Sequence, residues 1–66
     1  MRVVINGEPQ NVIDGLTIAG LIQQLGLKQR RIAVEVNREI IARESYEAHA
    51  LGEGDHVEIV HFVGGG

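Results

Sequence analysis

The 66-residue chain has no cysteine and no tryptophan, a single proline, and only two aromatic residues, Tyr46 and Phe62. Without cysteine there are no disulfides and no thiolate metal sites. A domain of this size buries only about 60% of the surface its unfolded chain exposes. With no covalent staple, its stability must come from regular elements around one aliphatic core. Long hydrophobic runs are missing too, and nothing approaches the ~20 apolar residues of a membrane span. Arg2 is followed by only three apolar residues before Asn6-Gly7, which does not make the pattern of a signal peptide. An excess of positive charge is also lacking. The net charge of −3 argues against a nucleic-acid partner. Lys28, Arg30 and Arg31 form one short basic cluster, but no stacking aromatics accompany it, so it reads as a solvated loop rather than a phosphate site. These absences lead to the expectation of one small cytoplasmic domain with neither a membrane nor a nucleic-acid partner.

What is present is a series of short periodic segments. Residues 1–5 are apolar and alternate, placing Met1, Val3 and Ile5 on one face and Arg2 and Val4 on the other. Asn6-Gly7 is the preferred pair for a type I′ turn, so a hairpin is expected with strands near 1–5 and 8–13. Pro9 cannot donate to a ladder, which places the second strand at a sheet edge. Thr17 is a suitable helix N-cap, and Leu16 and Leu21 have the spacing of a hydrophobic staple. Ile18, Leu21, Ile22 and Leu25 share one helical face over residues 18–25, and Gly26 with Leu27 can close the helix. Residues 32–36 alternate as a half-buried strand. Asn37-Arg38 is a weaker turn signal leading into a strand at 39–41. Residues 42–54 keep no period. They are expected to be irregular, with a turn of helix and with Tyr46 and Leu51 as apolar anchors. After a turn at 53–55, residues 56–63 form the last strand.

The expected order is β-β-α-β-β-(irregular)-β, an α+β chain whose first and last strands run parallel if they pair. One mixed sheet of four to five strands with one helix packed across one face is the simplest arrangement. The expected organisation is a domain over 1–62 and a flexible glycine tail over 63–66. Gly64-Gly65-Gly66 follows Phe62-Val63 with no polar boundary and no serine padding, unlike a typical linker or scar. A glycine tail is a backbone without side chains, and it can enter a narrow channel in whatever conformation the channel requires. At a C-terminus its only functional group is the carboxylate.

The hairpin Ala33-Val34-Glu35-Val36-Asn37-Arg38-Glu39-Ile40-Ile41, the segment Arg43-Glu44-Ser45-Tyr46, the turn Gly52-Glu53-Gly54-Asp55 and the terminal glycines together resemble the bacterial sulfur carrier proteins of thiamine biosynthesis. The resemblance runs the length of the chain and implies the β-grasp, or ubiquitin-like, fold. Arg38 stands where such a hairpin readily takes glycine, a departure in turn chemistry. The resemblance further implies a protein cosubstrate with no catalytic residues of its own and no bound cofactor. A partner resembling ubiquitin-activating enzymes would use ATP to adenylate the carboxylate of Gly66. A sulfur-donor protein would then allow a thiocarboxylate to form, and thiazole synthase would receive the sulfur. Gly64 and Gly65 would supply the thin reach into both active sites.

Alternation directs Val57 and Ile59 to the core and Glu58, Val60 and Phe62 outward. Val60 and Phe62 are therefore the expected docking patch; the alternative is that Phe62 folds over the sheet edge as packing. His49, His56 and His61 lack the spacing of a metal site, and no metal is expected. Gly52-x-Gly54 reads as a turn rather than a phosphate loop. Two other functions fit the same features. One is the small subunit of molybdopterin synthase, with the same thiocarboxylate chemistry; the other is a non-catalytic ubiquitin-like interaction module with an inert tail.

Overall fold

The computed structural model describes residues 1–62. Val63 and glycines 64–66 lie outside the described residues, and so do the expected strand end at 63 and the tail over 63–66. The elements are β1 (Arg2–Ile5), β2 (Glu8–Asn11), α1 (Ile18–Gln24), β3 (Ile32–Val36), β4 (Glu39–Ile40) and β5 (His56–His61), with single 3₁₀ turns at Gln29–Arg31 and Arg43–Ser45. The five strands form one sheet in the order β2-β1-β5-β3-β4. β1 and β5 are parallel, and every other neighbouring pair is antiparallel. This is the β-grasp arrangement, with one helix against one face of a mixed sheet. β2, which carries Pro9, is at the edge, where the missing N–H costs nothing.

Both hairpin turns are left-handed at their two central residues: Asn6 and Gly7 have φ of 49° and 83°, and Asn37 and Arg38 have 52° and 71°. Those are type I′ values, whose twist matches that of the flanking strands. Glycine and asparagine tolerate them; arginine does so only at a cost.

The helix begins at Thr17, whose side chain accepts a hydrogen bond from the Gly20 N–H at 3.1 Å. Two further N–H groups of the first turn find partners in the irregular segment, Ile18 to the His49 carbonyl and Ala19 to the Tyr46 carbonyl. The long connection over 42–54 therefore satisfies donors that a helix start leaves open. A Cβ at Gly20 would stand 2.9 Å from Leu16 Cδ1, so the glycine makes room for the staple residue. The helix ends in a Schellman motif, with Gly26 N–H bonded to Gln23 O, Leu27 N–H to Ile22 O, and Gly26 at φ 72°.

Ile18, Leu21 and Ile22 of α1 pack with Val3, Ile5, Ile32, Val34, Val36 and Val57 of the sheet, and Leu16, Tyr46 and Leu51 join the same core. No buried side-chain polar atom lacks a partner among the described residues. Several expectations need correction. β4 ends at Ile40 rather than 41, and β5 ends at His61, so Phe62, expected within the last strand, lies one residue past it. Leu25 does not join the buried face; it is 41% exposed, because it is the C-cap, and Leu27 packs against the core instead. β2 stops at Asn11 rather than 13. Val12 still donates to the Met1 carbonyl, but Ile13 begins the turn that closes with Leu16 N–H to Ile13 O and is 72% exposed.

Candidate functional site

β5 is the strand that leads to residue 63, and its position follows from its neighbours. Even-numbered residues bond toward β3, as seen where Phe62 N–H donates to Arg31 O at 2.8 Å and Asn37 N–H to His56 O at 2.7 Å. Phe62 is thus held in line by the sheet although it lies one residue past the strand. On the other side β1 accompanies β5 only through His56 and Val57, because β1 then turns at Asn6. The Asn6 side chain extends the pairing by one bond, its Oδ1 accepting from Ile59 N–H at 2.8 Å. Asn37 acts likewise on the opposite edge. Its Oδ1 accepts from His56 N–H at 3.0 Å, and its Nδ2 donates to Asp55 Oδ1 at 3.0 Å. Asp55 Oδ2 in turn accepts from Gly52 N–H at 2.7 Å, closing the turn before β5.

The two faces of β5 are as alternation requires. Val57 is buried and Ile59 packs partly against the core. Val60 and Phe62 are 54% and 55% exposed, so Phe62 is not a core residue. On the outer face Val60 stands opposite Ala33, Glu58 opposite Glu35, and Glu35 opposite Ile40, which is 78% exposed. The outer face around β5 is therefore apolar about a pair of adjacent carboxylates. Among the described residues the only ion pair joins the Met1 amine to Asp14 Oδ1 at 3.0 Å, so neither glutamate is neutralised.

The sequence indicated Val60 and Phe62 but not Ile40 or the Glu35–Glu58 pair. Alternation turns both glutamates outward, yet which residue faces which is a matter of register between segments more than 20 residues apart. Gly64, Gly65 and Gly66, the expected tail and modification site, lie outside the described residues. Among the described residues no three histidine, aspartate or glutamate side chains gather as a metal site would need, and no helix is long and apolar enough to cross a membrane. What this surface can do is present: an exposed apolar face borders a strand that leads directly to the glycines.

The comparisons with known proteins agree with this architecture. The model of the ThiS family matches residues 3–66, glycines included. A thiazole synthase from Magnetococcus marinus is 44% identical over 66 residues, covering 100% of this chain and 20% of that protein. The chain thus spans about one fifth of the length of the thiazole synthases it matches. The sulfur carrier protein ThiS of Bacillus subtilis is 46% identical over 53 residues, covering 80% of each chain. The crystal structure of a thiamine biosynthesis protein, ThiS, from Geobacter metallireducens superposes with a TM-score of 0.85 at 35% identity, covering 100% of both chains. With the family pattern matched from residue 3 to residue 66 and the fold shared over the whole chain, this protein belongs to the ThiS family.

Proposed function

We propose that this chain is a sulfur carrier for the formation of the thiazole ring of thiamine. The observation that carries this reading is the family match running through Gly64-Gly65-Gly66, together with the likeness to a sulfur carrier over most of its length. The thiazole synthases that contain a segment like this chain support thiazole synthase as a partner, since a fused domain acts at high effective concentration on its neighbour.

The chemistry is confined to Gly66. A carboxylate is a poor electrophile, because its charge repels nucleophiles and oxide is a bad leaving group. An adenylating partner joins the carboxylate oxygen to the α-phosphate of ATP and releases pyrophosphate. The acyl-adenylate has a good leaving group. Hydrosulfide supplied by a donor protein attacks the acyl carbon, the acyl–phosphate bond breaks and AMP leaves, and the resulting thiocarboxylate is the sulfur nucleophile offered to thiazole synthase. The chain itself binds no cofactor and contributes no catalytic residue. Val60 and Phe62 are the docking residues for both enzymes, and Gly64 and Gly65 pass through the narrow part of each active site. The test is intact-mass measurement after incubation with ATP, a sulfur source and the adenylating enzyme. The expected product has one oxygen replaced by sulfur, and deletion of Gly66 abolishes it.

A further inference from the structure

The basic cluster that reads as a solvated loop in the sequence acquires a fourth member and a shape in the fold. Lys28 and Arg31 line an open depression of about 400 Å³ together with Gly26, Leu27 and His61. His61 comes from β5, 30 residues further along the chain, and it arrives there because Ile32 and His61 are partners in the β3–β5 ladder. The wall is pinned by the main chain. Arg31 N–H donates to Lys28 O at 3.0 Å, Phe62 N–H donates to Arg31 O at 2.8 Å, and the Schellman bond from Leu27 fixes the other rim. Among the described residues no carboxylate lines the depression. Neither Lys28 nor Arg31 forms an ion pair among the described residues. This concentration of positive charge stands in a chain of net charge −3.

We propose that the depression walled by Lys28, Arg31 and His61 is a binding site for a small oxyanion, a phosphate or a carboxylate group. The planar guanidinium of Arg31 offers two parallel donors to either group, the Lys28 ammonium offers a mobile point charge, and the imidazole adds a donor at the rim. Phosphate carries more charge and a third acceptor oxygen, so it binds more tightly than a carboxylate. The site is open to solvent, so binding is weak and sensitive to salt. Through His61 the depression lies at the C-terminal end of β5. The inference does not rest on the sulfur-carrier reading.

The test is an amide NMR titration of the full chain with inorganic phosphate and, separately, acetate, at constant ionic strength set with chloride. Saturable shifts confined to residues 26–31 and 61 are expected, with dissociation constants on the order of 1–10 mM and phosphate the tighter ligand. The double variant Lys28→Gln with Arg31→Gln should weaken binding at least about tenfold while core amides keep their positions, showing that the fold is intact. Tighter binding of acetate than phosphate would assign the site to carboxylates. Shifts that rise linearly through ~50 mM, spread over all basic residues, or persist unchanged in the double variant would overturn the proposal.

Discussion

The Asn6 side-chain carbonyl accepts a 2.8 Å hydrogen bond from the Ile59 N–H, joining the first turn of the chain to its last strand across 53 residues. Asn37 makes the matching bond to His56 from the second turn. Each asparagine thus does two things at once: it tolerates the left-handed turn conformation, and it continues the ladder of β5 past the point where the neighbouring strand has turned away. Asn6→Gly separates the two roles, because glycine keeps the turn and removes only the acceptor. The expected loss is about 0.5–1.5 kcal/mol, read as a lower midpoint in urea unfolding with an unchanged slope. An unchanged midpoint would show that water replaces the side chain without loss.

Arg38 invites the opposite change. Its φ of 71° is a conformation arginine adopts at a cost, whereas glycine adopts it freely. Against this, glycine loses more chain entropy on folding. Arg38→Gly should still stabilise the domain by about 0.5–1 kcal/mol, a rise of several degrees in the thermal midpoint for a chain of this size. A fall in the midpoint would mean that the arginine side chain makes a compensating contact.

Glu58 faces Glu35 directly across the β3–β5 ladder, and among the described residues neither forms an ion pair. Like charges in that position are destabilising by roughly 0.2–1 kcal/mol, and exposure keeps the value at the low end. Glu58→Gln should therefore raise the thermal midpoint slightly at low salt, and the gain should shrink as salt is added. A destabilised variant, or a gain independent of salt, would contradict this.

Much of this fold could be read from local chemistry. Asn6-Gly7, Thr17 and Gly26 are each the residue their turn or cap requires, and Pro9 marked the edge strand correctly. The short helix was legible from Ile18, Leu21 and Ile22, but Leu25 was not separable from them by period alone. Where a helix stops being covered depends on the sheet beneath it. The same limit applied to the site. Alternation placed Val60 and Phe62 outward, but the convergence of His61 with Lys28 and Arg31, and of Glu35 with Glu58, is set by strand register. No local pattern encodes that register.

The exposure of Val60 and Phe62 separates docking from folding. Both are about half exposed, so Val60→Ala and Phe62→Ala should leave the thermal midpoint nearly unchanged. If they dock the adenylating enzyme and thiazole synthase, the double variant should bind each about ten- to a hundredfold more weakly, measured by calorimetry with the purified partners. Unchanged affinity would move the docking surface elsewhere, while a large loss of stability would place Phe62 in the core.

On the reading proposed above, the folded part presents one carboxylate for other enzymes to modify. The decisive measurement is the intact mass of the chain after reaction with ATP, a sulfur donor and the adenylating enzyme. One oxygen should be exchanged for sulfur at Gly66, an exchange lost when Gly66 is deleted and slowed when Val60 and Phe62 are both alanine. An unchanged mass with an adenylating enzyme shown to be active on another carrier would contradict it and favour an interaction module with an inert tail.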